Sequence, residues 1–240
     1  HIDGFSLNLN LGQGIATTMD RTWGTGFTSM MPFTLNGKAH LLAYNKNTGT
    51  VHFDRFLPDA SGVEGAYNNT WGTGFTHFVP FYIGGIPYFL AYNSSTGALH
   101  YDTFQQDAQG LTIQAVTTIT AGFTSIAPFT KGGQNYVLYY NKATGAVRYD
   151  QINATGSGAT TVYTSNWGTG WTDFTFYYMG GEPHFVAYNA STGRTDYDKI
   201  ASNVPQGVDV LRQFTDAKNR KFANVAFQGP GHVMTYDSSG

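Results

Sequence analysis

Residues 88–97 read YFLAYNSSTG, and this stretch decides the fold because it returns every 48 residues. It stands as HLLAYNKNTG at 40–49, YVLYYNKATG at 136–145 and HFVAYNASTG at 184–193, with a shortened HVMTYDSSG at 232–240. A second phrase keeps the same register: TWGTGFT at 22–28 and 70–76, TITAGFT at 118–124, and NWGTGWT at 166–172. Five units of 48 account for all 240 residues. The chain is therefore read as one repeat domain, 1–240, in which every unit folds like its neighbours.

On either side of Tyr88, each unit reads as strands. Phe75 to Ile83 is aromatic-rich and ends at Gly84-Gly85, a turn signal. Tyr88 to Asn93 is a short apolar run stopped by Ser-Ser-Thr-Gly. Leu99 to Phe104 forms a third strand, and Leu111 to Thr117 a fourth that leads into the next unit. No stretch carries helical periodicity. Four short strands per unit are the signature of a propeller blade, so the expected fold is an all-β, five-bladed β-propeller of four-stranded antiparallel blades.

The ends set how such a ring closes. The fifth unit supplies Phe222 to Phe227 and His232 to Tyr236, and then the chain stops with two strands made. The N-terminus offers Ile2 to Leu9 and Ile15 to Met19. A composite fifth blade from both termini is expected, because it would hide two sheet edges. The register of residues 1–8 has two readings, with His1-Ile2-Asp3 or Ser6 as the counterpart of the His52–Asp54 segment.

Composition narrows the function. Charged residues are 12% and the formal net charge is −2, which gives no footprint for nucleic acid or an acidic membrane surface. No apolar run reaches the length of a membrane span. There is no cysteine, hence no disulfide and no thiolate metal site. The chain begins at His1 without methionine, as a processed or excised protein would. Sequons begin at Asn68, Asn93, Asn153 and Asn189, a pattern that chance produces readily in a chain rich in these residues.

In a propeller the loops alternate between two faces, so WGTGFT and YNxxTG share one face, and five related pockets are expected there. The first candidates are Trp23, Trp71 and Trp167, with the neighbouring Thr25, Thr73 and Thr169. An indole offers an apolar plate for the C–H face of a sugar and an N–H for a hydroxyl. Equally, it could wedge between blades. Ile119 and Thr215 stand in its place in the other two units. The second candidates are Tyr44 and Asn45, Tyr92 and Asn93, Tyr140 and Asn141, and Tyr188 and Asn189, with Thr48, Thr96, Thr144 and Thr192. They suit neutral hydroxyls, but turn chemistry uses the same residues and is the preferred reading. The third is the aspartate of the third strand: Asp54, Asp102, Asp150 and Asp198. Its preferred role is structural, accepting backbone N–H bonds. No metal site and no cofactor are expected, since no ligand cluster has the right spacing.

Five cysteine-free repeats of this length, punctuated by Trp-Gly loops, resemble the tachylectin-type five-bladed propeller lectins. The resemblance implies a multivalent carbohydrate-binding protein with up to five related sites between adjacent blades. Its ligands would be N-acetylated amino sugars or another neutral glycan, its partners glycans or glycoproteins, and its location secreted or cell-surface. A glycosidase is the enzyme alternative and is disfavoured. Such enzymes need two converging carboxylates, and the expected inner strands hold only Asp173, with Glu64 and Glu182 read as lying in connections. A protein-interaction scaffold is the third reading; it predicts blades that differ, whereas the repeated face is alike.

Overall fold

The computed structural model describes residues 25–59, 61–201 and 207–215 in full, and the backbone of four terminal strands. Those four are β1 (Ile2–Gly4), β2 (Ala16–Met19), β19 (Arg220–Val225) and β20 (His232–Asp237). Between them lie four four-stranded antiparallel sheets, each a meander in chain order. The first holds β3 (Ser29–Leu35), β4 (Lys38–Tyr44), β5 (Thr50–Phe56) and β6 (Val63–Thr70). The second holds β7 (His77–Ile83), β8 (Ile86–Tyr92), β9 (Ala98–Phe104) and β10 (Leu111–Thr118). The third holds β11 (Ser125–Lys131), β12 (Gln134–Tyr140), β13 (Ala146–Ile152) and β14 (Ala159–Asn166). The fourth holds β15 (Asp173–Met179), β16 (Glu182–Tyr188), β17 (Arg194–Ile200) and β18 (Val208–Thr215). The described residues contain no helix, and so none long and apolar enough to cross a membrane.

The first strands β3, β7, β11, β15 and β19 lie side by side in that order, as the inner strands of a propeller do. Each is an edge strand of its own sheet, which is why it tolerates Pro32, Pro80 and Pro128 in mid-strand: the missing N–H is not needed by a second neighbour. The turn into the second strand is tight. Asn36-Gly37, Gly84-Gly85, Gly132-Gly133 and Gly180-Gly181 all have positive φ at both positions, the type I′ pattern that matches strand twist. Consequently the second strand starts two residues earlier than the apolar run of the sequence indicates, at Ile86 rather than Tyr88. The first starts two later, at His77, because Phe75-Thr76 belong to the loop before it.

β1 pairs with β2 and β19 with β20, as two separate two-stranded sheets. Of the two readings of residues 1–8, the described part gives Ile2–Gly4 paired with Ala16–Met19.

The core sits between sheets, because alternate residues of each strand point to opposite neighbours. Phe33 stacks on Phe104 between the first and second sheets at 3.7 Å. Val79, Leu90, Tyr101, Val137 and Tyr139 fill the interface between the second and third. Phe129 stacks on Phe176 at 4.9 Å between the third and fourth. Each sheet carries one β-bulge at the same place, opposite the third-strand aspartate: the pairing shifts at Asp54, Asp102, Asp150 and Asp198. The bulge adds local twist and swings the outer strand away. Glu64 and Glu182 are strand residues, in β6 and β16, not connection residues. They pair with Arg55 and with Lys131.

Candidate functional site

The WGTGFT loop is a strap that stitches one sheet to the next. Trp71 N donates to Gly49 O and Gly74 N to Lys46 O, both at 2.8 Å, fastening the strap to the turn of the preceding sheet. Thr76 N then donates to Tyr92 O of the following sheet at 2.8 Å. The same three bonds recur at Ile119, Gly122 and Thr124, and at Trp167, Gly170 and Thr172. The glycine of YNxxTG is obligatory here. A Cβ on Gly49, Gly97 or Gly145 would stand 2.0–2.1 Å from the strap carbonyl, and each has φ near +77°.

This stitching occupies the tyrosines and asparagines of YNxxTG. Tyr44, Tyr92, Tyr140 and Tyr188 are fully buried. Tyr44, Tyr92 and Tyr140 donate their hydroxyls to the strap carbonyls of Gly72, Thr120 and Gly168 at 2.6–2.9 Å. Asn45, Asn93, Asn141 and Asn189 each accept two backbone N–H bonds through Oδ1, closing an Asx turn. Their amide nitrogens lie against Gly26, Gly74, Gly122 and Gly170. Thr48, Thr96, Thr144 and Thr192 are exposed and lie in the same turns. Thr25, Thr73 and Thr169 are exposed at the strap tips.

The tryptophans do two things at once. Trp71 is half-buried, parallel to Phe89 at 6.0 Å and edge-on to Phe53 at 5.7 Å, so it bridges the first and second sheets. Trp167 repeats this with Phe185 at 5.8 Å and Tyr149 at 6.1 Å. Each also walls a cavity. One, of about 200 Å³, is lined by Trp71, Gly72, Phe75, Ala91, His100, Asp102, Leu111 and Ile113. The other, of about 210 Å³, has Trp167, Gly168, Trp171, Ala187, Asp196, Asp198, Val208 and Val210 at the matching places, together with Arg194 and Gln213. Two sheets 96 residues apart thus build the same pocket: an aromatic wall, a small alanine floor, an aliphatic outer strand and a carboxylate.

That carboxylate is unusual. Asp102 is 3% exposed and Asp198 5%, and Oδ1 of each has no hydrogen-bond partner. The expected backbone N–H bonds to these oxygens are not made. Burial pushes Asp102 up to about 7. Burial and the neighbouring Asp196 push Asp198 up to about 7 as well, against the pull of Arg194. Asp150 is handled differently, by a bidentate ion pair with Arg148 at 2.6 Å. Asp54 is half-buried and raised mainly by desolvation.

The third sheet differs at the positions that wall these pockets. Ile119 replaces the tryptophan, and fully buried Tyr139 stands where the pocket-bearing sheets have Ala91 and Ala187. Arg148 lies over the Tyr139 ring at 5.8 Å. This paired exchange, Trp with Ala or Ile with Tyr, is visible in the sequence, and both sheets described with this pocket have Trp with Ala. By the same rule Trp23 with Ala43 would form a third pocket; Trp23 lies outside the described residues. Thr215 is not the fifth counterpart of Trp. The loop 201–207 is one residue longer than 153–158, so Thr215 ends β18 opposite Arg194 just as Thr118 ends β10 opposite Ala98. A larger cavity of about 350 Å³ opens on the other face, among Lys38, His40, Arg55, Glu64 and the 106–109 turn. Asp173 starts β15 and accepts a bond from the Thr172 hydroxyl at 2.7 Å.

Compared with models of known protein families and with the sequences of curated proteins, the chain matches none.

Proposed function

We propose that this protein is a multivalent lectin whose sugar sites are the pockets behind the strap tryptophans. The observation that carries this is the recurrence of one pocket design in two sheets, each with an indole wall and an unsatisfied carboxylate oxygen. A pyranose ring needs a flat apolar surface for its C–H face and a strong acceptor for its hydroxyls; both are present at a volume suited to one sugar residue. Neutral glycans, N-acetylated amino sugars among them, are the ligand class. Repetition favours a multivalent target, because several weak sites engaging one glycosylated surface gain avidity of about 10²–10⁴. A protein-interaction scaffold would not need matching pockets, and the paired carboxylates of a glycosidase form no part of this reading.

The reading includes a closed five-bladed ring. β19 lies against β15 as β15 lies against β11, and on this reading the two separate two-stranded sheets, β19–β20 and β1–β2, would join as the four strands of one further blade. The test is a glycan array with the purified protein, followed by calorimetric titration with the best monosaccharide. Saturable binding at more than one site per chain is expected. A folded protein that binds no glycan on the array contradicts the proposal.

A further inference from the structure

Three aspartates stand at the same place in the second, third and fourth sheets, and only one of them is satisfied by the chain itself. In the third sheet, where Tyr139 takes the alanine position, Arg148 reaches Asp150 with two bonds of 2.6 Å. In the second and fourth sheets Asp102 and Asp198 are also buried, yet Oδ1 of each has no donor. The residue two before them explains the difference. At the place of Arg148 the second sheet has His100, and the fourth has Asp196, whose own carboxylate accepts from Arg194 and Gln213. Both unpartnered carboxyls line the pocket behind a strap tryptophan. The donor that Arg148 supplies in the third sheet is left, in these two, to a ligand in the pocket.

Resting on the reading of these pockets as saccharide sites, we infer that both take up their sugar with loss of a proton from the aspartate, so that glycan is held in mildly alkaline medium and released in acid. Burial without a donor raises both carboxyls to about 7. A sugar hydroxyl donating to Oδ1 favours the ionised form, because a charge-assisted bond is roughly twice as strong as one between neutral groups. Each carboxyl is already out of water, so the ligand adds little further desolvation against that form. Neighbouring ionisable groups do not reverse the sign. His100 lines the Asp102 pocket, and burial lowers its pKa, so it is neutral where Asp102 changes charge. The strap, β8 and β10 bring Trp71, Phe75, Ala91, Leu111 and Ile113 to that wall, none of them ionisable. Around Asp198, Asp196 raises the carboxyl and Arg194 lowers it. Tyr149 and Tyr177 stay neutral there, because burial pushes both hydroxyls up.

The test is calorimetric titration at pH 5 and pH 8 with the monosaccharide that binds best on an array run at pH 8. A further pair of titrations at pH 6.5, in phosphate and in imidazole, counts the protons released from the difference in buffer ionisation heat. Binding is expected to be roughly tenfold tighter at pH 8 than at pH 5, with about half a proton released per site at pH 6.5, the effect of lowering each carboxyl by about one unit. Asp102→Asn with Asp198→Asn should remove both the pH dependence and the proton release at these two sites. If that double variant does not fold, Asp102→Asn and Asp198→Asn singly should each remove one site's share. Affinity independent of pH, affinity that rises in acid, or a pH dependence untouched in the variants overturns this inference and leaves the lectin proposal standing. A folded protein that binds no saccharide at either pH overturns both.

Discussion

Burying Asp102 and Asp198 makes the stability of this protein depend on pH in an unusual direction. Each has a folded-state value of about 7 against 3.8 for an ordinary aspartate. A carboxyl raised on folding contributes stability that is fully present below the unfolded value and is lost as pH rises through the folded one. The native protein therefore holds protons that the unfolded chain has released between about pH 4 and about pH 7. Over that window each aspartate costs about 4 kcal/mol, at a limiting slope of about 1.4 kcal/mol per pH unit. Urea denaturation at intervals from pH 4.5 to 8.5 should show the midpoint falling to about pH 7 and then levelling. Asp102→Asn should take roughly half of the two-site slope away, and Asp102→Asn with Asp198→Asn most of it. At pH 8 both variants should be more stable than the wild type, because a buried neutral amide costs about 1–3 kcal/mol where a buried unpaired charge costs more. A wild-type midpoint that rises between pH 5 and 7, or variants with an unaltered slope, would refute the assignment of two unpaired buried carboxyls.

Two further outcomes follow from the backbone. Gly97→Ala puts a methyl 2.0 Å from the Ile119 carbonyl at φ +79°, so it should cost about 3 kcal/mol in urea unfolding, whereas Gly84→Ala, at φ +57° with open space around it, should cost about 1 kcal/mol. Deleting residues 1–19 removes β1 and β2, and on the composite-blade reading it should make the protein insoluble or broaden its thermal transition; an unchanged transition would argue that the ring does not close through the N-terminus.

The fold was legible because repetition and turn chemistry act locally. The 48-residue period, the Gly-Gly hairpins and the Thr-Gly turns place nearly every strand of the four complete sheets within two residues. Strand ends were displaced where the type I′ turn uses only two residues and where Phe75-Thr76 serve the strap. The site was less legible, because its parts are separated along the chain. Tyr44 and Asn45 look like ligands by residue type, yet their polar atoms are consumed by strap and turn. Asp102 looks structural by its recurrence, yet what surrounds it is decided by the strap, the outer strand and the residue two before it. Only the coupled exchange of Trp71 and Ala91 against Ile119 and Tyr139 announces the pocket, and its meaning depends on knowing that the two positions meet.

That exchange also supplies the most direct test of the lectin account. Trp71→Ile with Ala91→Tyr converts the second sheet to the arrangement of the third, filling the cavity with a packing the chain already uses. Trp167→Ile with Ala187→Tyr does the same for the fourth sheet. Calorimetric titration with the best array sugar should show one site fewer per chain in the first variant and two fewer when both sheets are converted. The affinity of the remaining sites should not change, since each pocket is built by a strap and the sheet it enters. A folded variant with both sheets converted that keeps the wild-type stoichiometry would contradict the account.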